Sequence, residues 1–120
     1  MEFARFYIEQ SAKAWTVPDP KLLDGHSTSK CKTCANLTDV ARQLLRDQQK
    51  YTVDPITVIS TKRFSGDGDV WVFEMALRQN AAKVVDAKGA TVKTQERRDL
   101  GRAVALVWRG DRWLIDGISE

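Results

Sequence analysis

Residues that carry nucleophilic or metal chemistry are scarce in this sequence, which has one histidine and two cysteines among 120 residues. No apolar run approaches the roughly eighteen residues of a membrane-spanning helix. The composition is that of a globular protein, since 42% of the residues are hydrophobic and 29% are charged. At this length one apolar core can form without metals or several disulfides, and we predict one domain over residues 1–120.

No segment of the sequence carries an excess of charge of one sign. The net charge of +3 and the pI near 9.0 arise from 19 Lys and Arg mixed among 16 Asp and Glu. The densest charged run, residues 96–99, contains its own counter-charges. A nucleic-acid interface needs clustered cations interleaved with aromatic residues. We therefore predict a solvated, salt-bridged surface and no nucleic-acid partner.

The N-terminus lacks the charged region and the apolar region of a signal peptide. Helical sequence begins almost at the first residue. We therefore expect the chain to be cut from a longer precursor that carries the export signal. Any attachment to a membrane is expected to run through an N-terminal anchor in that precursor.

Helical periodicity dominates the first half of the chain. Residues 2–15 contain no Gly or Pro and place apolar residues on one wide face. Pro18 and Pro20 end this helix, and Asp19 can cap a short helix that runs through Leu22 and Leu23. A second long helix is predicted over residues 29–49, because apolar residues recur there at spacings of three and four.

After Tyr51 the periodicity changes to two. Residues 56–61 are rich in β-branched side chains, and residues 65–69 form a turn cluster. The next strand alternates with a period of two. Its apolar face carries Trp71, Phe73, Met75 and Leu77, and the residues between them point to the opposite face. Two further hairpins are predicted, one with its turn at residues 86–89 and one with its turn at residues 109–112.

Helices followed by a meander of strands predict an α+β fold, and the absence of strand-helix-strand alternation argues against a parallel sheet. The N-terminal helices are the elements available to cover the apolar face of the sheet. We therefore predict helices packed on a strongly curved antiparallel sheet of four to six strands. Such a cone-shaped roll leaves a pocket at its open end.

This arrangement resembles the nuclear transport factor 2-like (cystatin-like, SnoaL-like) superfamily, and in detail an uncharacterised domain of actinobacterial secreted lipoproteins. The likeness is carried by Phe3-Ala4-Arg5-Phe6-Tyr7, Ala14-Trp15, Asp19-Pro20, Leu22-Leu23, Cys31-Lys32-Thr33-Cys34 and Asp111-Arg112-Trp113. The resemblance implies an extracytoplasmic domain at the cell surface or in the periplasm, lipid-anchored in its full-length precursor. It implies no established activity.

Cys31 and Cys34 form a C-x-x-C pair, which can be a redox dithiol, half of a zinc site, a reduced pair or a structural disulfide. A thioredoxin-type dithiol normally follows a strand, and none is predicted here. Tetrahedral zinc needs four ligands, whereas the chain offers these two thiols, His26 and at best a carboxylate such as Asp24. The missing partners favour a disulfide, and no metal or cofactor is predicted.

Enzymes of the resembled superfamily, such as ketosteroid isomerase, use Asp, His and Tyr side chains of shifted pKa in the cone. The candidates in this sequence are Tyr7, Tyr51, Asp54, Glu74 and Asp116. Their positions pair none of them with another, and His26 lies in a polar loop. Glu74 lies on the strand face opposite Trp71 and is expected to point to solvent. We assign no catalytic residue.

The tryptophans can fill the core or line a ligand pocket. For aromatic residues in an apolar alternating row, core filling is the better interpretation. Trp15 is the exception, because it lies at a helix end where a pocket mouth is expected. The possible pocket is predicted from five aromatic residues: Tyr7, Trp15, Trp71, Phe73 and Trp108.

Three functional hypotheses follow. The first is a non-enzymatic extracytoplasmic binding or assembly module, for which the partner is an unknown protein or a small apolar ligand. The second is a small-molecule-binding protein or enzyme that uses the cone pocket. The third is a soluble domain of a secretion-channel subunit. The outer face of the sheet is polar for an obligate interface, so both a monomer and a homodimer stay open.

Overall fold

In the computed structural model, which describes residues 2–119, helical segments precede a set of antiparallel strands. The helical elements are α1 (Glu2–Thr16), a short 3-10 helix (Pro20–Leu23) and α2 (Lys32–Arg46). The strands are β1 (Lys50–Tyr51), β2 (Ile56–Asp67), β3 (Val70–Gln79), β4 (Ala82–Val85), β5 (Thr91–Gln95), β6 (Arg98–Trp108) and β7 (Trp113–Ser119). The predicted α+β class is confirmed.

The first helix and the short helix follow the sequence prediction closely. The end of α1 comes one residue later than predicted, immediately before the Val17-Pro18 pair. Asp19 then caps the 3-10 helix, because its carboxylate accepts a hydrogen bond from the Lys21 backbone N–H at 3.1 Å. Pro20 lies in the first turn, where its missing N–H costs no hydrogen bond.

The second helix is shorter than the predicted residues 29–49. Its N-cap is Cys31, whose Sγ accepts a hydrogen bond from the Cys34 backbone N–H at 3.1 Å. At the other end Gln48 adopts a φ of 56°, and the Gln49 N–H bonds to the Leu44 carbonyl at 2.9 Å. A residue in the left-handed region satisfies the last helical carbonyls and stops the helix.

The strands form two antiparallel sheets. The larger sheet has the order β2-β3-β6-β7, and the smaller has the order β1-β4-β5. The larger sheet has four strands, within the predicted four to six, and residues 2–119 form seven strands in all. The strand that was not predicted is the two-residue β1, whose Lys50 and Tyr51 pair with Val85 and Val84 of β4. A strand of this length has too little periodicity to be recognised in a sequence.

The hairpin between β2 and β3 is tighter than the predicted turn over residues 65–69. Asp67 pairs with Val70, so that only Gly68 and Asp69 form the turn, and Gly68 has a φ of 60°. The predicted alternation of β3 is confirmed, since Phe73, Met75 and Leu77 are buried. Glu74 is exposed on the outer face, as expected.

The main core lies between α1 and the inner face of the larger sheet. From α1 come Ala4, Tyr7 and Ile8, and from the sheet come Phe73, Met75, Val104, Leu106 and Ile115. A second cluster joins the end of α2 to the smaller sheet through Leu44, Tyr51, Ala82 and Val84. Trp15 packs against both clusters. Within residues 2–119, no helix is long and apolar enough to cross a membrane.

Cys31 and Cys34 form a disulfide at the start of α2, which confirms the structural interpretation of the pair. Both residues are buried. The Cys31 N–H also bonds to the Thr28 carbonyl at 3.2 Å. This turn joins α2 to the segment that carries His26, whose carbonyl accepts a hydrogen bond from the Ile115 N–H at 2.8 Å.

Reduction of this disulfide should lower the free energy of unfolding by less than about 3 kcal/mol, the value expected for a fifteen-residue loop, because this loop is far shorter. The measurement is urea unfolding with and without dithiothreitol. The matched control is the double variant Cys31→Ser/Cys34→Ser, in which Ser can still cap the helix and which should not respond to dithiothreitol. Thiol titration of the oxidised protein should find almost no free thiol, and two titratable thiols would contradict the assignment.

Gly66 is the residue of the β2–β3 hairpin that meets an aromatic ring. A Cβ at this position would lie 2.9 Å from Cδ2 of Trp71. The ring is held by a hydrogen bond from its Nε1 to the Gly68 carbonyl at 2.9 Å, and the Arg63 guanidinium lies over it at 4.7 Å from the ring centroid. The ring therefore has little freedom to move away.

We expect Gly66→Ala to destabilise the fold by about 1–3 kcal/mol, the usual cost of overpacking. Gly101→Ala is the matched control, because a Cβ there meets no atom within 4 Å and Gly101 has no positive φ. It should be neutral or stabilise by up to about 1 kcal/mol. Urea unfolding of the two variants gives both values, and equal stabilities would contradict the proposed contact with Trp71.

Candidate functional site

A cavity of about 360 Å³ opens between α1, α2 and the two sheets. Its volume lies within the range of small-molecule sites. Apolar side chains of the helices form one wall: Ile8, Ala12, Trp15, Leu37 and Val40. Apolar side chains of the larger sheet form the opposite wall: Ile56, Leu77, Leu100 and Ile118.

Trp15 organises the mouth of this cavity. Its ring stacks on Tyr51 with the centroids 5.3 Å apart and the planes inclined by 24°. Its Nε1 donates a hydrogen bond to the Leu37 carbonyl at 3.1 Å. One side chain therefore connects α1 to α2 and to the smaller sheet.

Most polar side chains along the cavity already bond to the protein's own backbone. Ser11 donates to the Tyr7 carbonyl at 3.0 Å, and Thr33 donates to the Ile118 carbonyl at 3.1 Å. Two glutamines also donate to backbone carbonyls through their side-chain amides. Gln95 Nε2 donates to the Asn80 carbonyl at 2.9 Å, and Gln79 Nε2 donates to the Glu96 carbonyl at 2.8 Å.

The charged side chains of the described cavity lining are Lys93 and Arg102, both of them cationic. No carboxylate or histidine belongs to the lining that the structure describes. Arg102 bonds through Nη1 to the Gly101 carbonyl at 2.7 Å. An acid–base couple of the kind that the isomerase resemblance implies needs two ionisable groups of separated pKa, and this lining holds no such couple.

Of the aromatic residues predicted for the pocket, Trp15 lines the cavity. Tyr7 and Phe73 lie in the core between α1 and the sheet. Trp71 and Trp108 lie towards the other end of the larger sheet, where both contact Trp113, with ring centroids 6.2 and 5.3 Å away. Strand β3 extends about 3.3 Å per residue, so Trp71 is far from Leu77 and Gln79 at the cavity.

The residues proposed for acid–base chemistry are dispersed. Asp54 is exposed and accepts a weak hydrogen bond from the Ile56 N–H at 3.4 Å. Asp116 accepts a hydrogen bond from the Thr28 hydroxyl at 2.7 Å. The His26 ring packs against Phe6, with centroids 5.4 Å apart. Over residues 2–119, no group of three or more His, Cys, Asp and Glu side chains could hold a metal ion.

Both tyrosines are affected by burial. Desolvation raises the pKa of Tyr7 from its ordinary 10.0 to about 12, and a hydrogen bond with Ser27 opposes part of this rise. Desolvation also raises the pKa of Tyr51. Both phenols are therefore neutral hydrogen-bond donors at physiological pH. Tyr7 lies inside the core, and Tyr51 lies at the cavity.

Several cavity residues could not be assigned from the sequence. Leu37 was recognised as part of an apolar helix face, but the same pattern fits plain core packing. Lys93 lies on the predicted hairpin with its turn at residues 86–89, and the pairing of β4 with β1 in the smaller sheet, which was not predicted, brings this hairpin to the cavity. To predict these cavity residues from the sequence, one would have to know how both sheets are placed relative to the helices.

Solved structures show the same fold. The intermembrane space region of the chloroplast protein ARC6 aligns with a TM-score of 0.67 at 19% identity, over 98% of this chain and 90% of that chain. An uncharacterised protein with a cystatin-like fold from Caulobacter vibrioides aligns with a TM-score of 0.56 at 12% identity, over 88% and 77%. No protein-family model and no curated protein sequence matches the chain. The chain has a cystatin-like fold.

The raised pKa of Tyr7 predicts a loss of stability in alkaline solution. Because the folded pKa of about 12 exceeds the ordinary 10.0, the neutral phenol contributes stability that is fully present below pH 10 and is lost as the pH rises through 12. The loss approaches about 3 kcal/mol, since one pKa unit corresponds to about 1.4 kcal/mol.

Urea unfolding of Tyr7→Phe and the wild type should therefore give a stability difference that shifts in favour of the variant above pH 10, because Phe has no proton to lose. Phe6→Leu, a non-titrating change at an exposed residue of the same helix, is the control. Its difference from the wild type should stay constant with pH. A constant difference for Tyr7→Phe would show that the phenol is not desolvated.

Proposed function

We propose that this cystatin-like domain is a non-catalytic binding module of an extracytoplasmic compartment and that it holds a small apolar molecule in the cavity beside Trp15. The observation that carries the proposal is the open cavity of about 360 Å³ with apolar walls from both helices and the larger sheet. Apolar cavities of this size gain affinity by removing ligand surface from water.

The polar groups of the lining support binding over catalysis. The amide N–H groups of Gln79 and Gln95 are already bonded to backbone carbonyls, so they are fixed in place. Pre-formed walls reduce the entropy lost when a ligand is ordered. The five acid–base candidates and His26 are dispersed, and no hydrogen bond between any two of these residues occurs in the described part of the chain. General acid–base catalysis needs such groups near one reacting atom.

The disulfide supports a compartment outside the reducing cytosol, where such bonds persist. The similar ARC6 region belongs, by its own description, to an intermembrane space. The resemblance to secreted actinobacterial lipoproteins extends this proposal to a surface or periplasmic domain with a lipid anchor upstream of residue 1. The channel-subunit hypothesis stays a prediction.

Homodimerisation through the outer sheet face also stays a prediction. This face has a shallow depression bordered by Lys62 and Glu74 and floored by Ala76, Gly101 and Ala103. The small residues would permit close approach of a second copy. The charged border makes the face more polar than the core of a permanent interface.

Binding in the cavity can be tested with the neutral fluorescent probe N-phenylnaphthylamine, whose emission rises in apolar surroundings. The wild type should bind it saturably. Leu100→Trp adds volume to a wall of the cavity, so the affinity should fall about tenfold or more, equivalent to at least about 1.4 kcal/mol.

Ile59→Trp is the matched control, because Ile59 is a strand residue that is 47% exposed and does not belong to the cavity lining. Its affinity for the probe should equal that of the wild type. Circular dichroism and urea unfolding check that both variants are folded. An absence of saturable binding, or equal affinity in the Leu100→Trp variant, would refute the cavity as a ligand site.

A further inference from the structure

The described part of the cavity lining combines apolar walls with positive charge. Lys93 lies on the β5 side, and Arg102 lies on β6. Cations beside an apolar surface favour a ligand that supplies the opposite charge, because a neutral ligand that covered an ammonium would remove it from water without giving it a partner. The positive charge of the lining therefore restricts the class of ligand more than the cavity volume does.

Of the two cations, Lys93 indicates more clearly which class of ligand the cavity would bind. It pairs in register with Val84, a buried residue of the second core cluster, so its backbone position is defined by the smaller sheet. No ion pair joins Lys93 to any carboxylate that the structure describes. A long aliphatic stem allows a lysine to cover apolar surface while its ammonium reaches a polar partner.

A second cavity, of about 300 Å³, adjoins the first. The two cavities share Val40, Tyr51 and Lys93 as wall residues. The Tyr51 hydroxyl has no hydrogen-bond partner among residues 2–119, and a phenol is a neutral hydrogen-bond donor at physiological pH. Lys93 and Tyr51 therefore both belong to the wall that the two cavities share.

The remaining polar groups narrow the choice of head group. The amide N–H groups of Gln79 and Gln95 are bonded to backbone carbonyls, as are the hydroxyls of Ser11 and Thr33. Several hydroxyls on a ligand, as in a sugar, would find few unused partners along these walls. One anionic group at Lys93 and Tyr51 would find two donors.

We propose that the occupant of the cavity is a single-chain anionic amphiphile, whose anionic head pairs with Lys93 and Tyr51 and whose apolar chain lies along Trp15, Leu37 and Leu100. This inference rests on the proposed function and refines its ligand, since the apolar chain of the amphiphile fills the same cavity and the anionic head is the added feature. Fatty carboxylates and alkyl sulfates share this chemistry. Binding of neutral or cationic chains of equal length would lack the ionic contribution.

The test is displacement of bound N-phenylnaphthylamine by decanoate, decyl sulfate, decanol and decyltrimethylammonium, each below its micelle concentration. In the wild type, decanoate should displace the probe at about one tenth of the decanol concentration, a tenfold preference of the size that one charge-assisted contact gives. Decyl sulfate shows whether the site accepts anions in general or carboxylates only. The preference should weaken as salt is added.

Lys93→Gln should abolish the preference for decanoate over decanol. Lys88→Gln is the matched control, since Lys88 lies in the turn of the same hairpin and outside the cavity lining, and the change in net charge is identical. Lys93→Arg should retain the preference. Both positions are exposed, so the variants should fold as the wild type does.

The outcomes separate the two proposals. If the probe binds and decanol competes as well as decanoate, the cavity is a ligand site and the anionic occupant is refuted. The same conclusion follows if Lys93→Gln and Lys88→Gln lose the preference equally, which would reflect net charge alone. If the probe itself does not bind, both proposals fail together.

Discussion

Burial of the inner face of the larger sheet is the constraint on which the rest of the structure depends. Phe73, Met75, Val104, Leu106 and Ile115 present their side chains to one side, and each is at most 5% exposed. Every such side chain is worth about 1.5–3 kcal/mol when removed from water. Helix α1 supplies the cover through its apolar face, and Tyr7 is buried there despite the desolvation of its hydroxyl.

The cavity follows from the way this cover is shared. Helix α1 lies on the larger sheet, whereas the end of α2 packs on the smaller sheet through Leu44. Trp15 belongs to both contacts, and its hydrogen bond to the Leu37 carbonyl fixes the separation of the helices. Two packed clusters that meet at one side chain leave space between them. The proposed ligand site occupies this space, so binding and folding use the same helix face.

Local interactions explain which parts of the fold could be predicted. The cap at Asp19, the prolines beside it and the alternation of β3 are decided by residues close together in sequence, and all three were predicted correctly. The ends of α2 were predicted too far out. Its start depends on a cysteine sulfur that accepts a hydrogen bond, and its end depends on a glutamine in the left-handed region. Cysteine is not a usual signal for a helix start, and glutamine is not a usual signal for a helix end.

The site was less predictable than the fold. Trp15 was identified because it lies at a helix end, which is a local property. Tyr7 and Phe73 satisfy the same aromatic criterion and fill the core, and Trp71 lies near the hairpin, where Gly66 and Arg63 pack on its ring. The sequence pattern of an aromatic residue is the same whether it lines a cavity, fills a core or packs on a hairpin. Their surroundings come from strand pairing.

The sequence by itself determined the order of the helices and strands, the apolar faces that they bury and the cysteine pair at the start of α2. Periodicity, capping and turn chemistry act over a few residues, so they can be read without knowing the fold. Only the tertiary structure decided that the predicted β4–β5 hairpin joins β1 in a separate smaller sheet and carries Lys93 to the apolar cavity. Strand register and the spacing of packed helices are set by contacts between distant residues, and no local pattern encodes them.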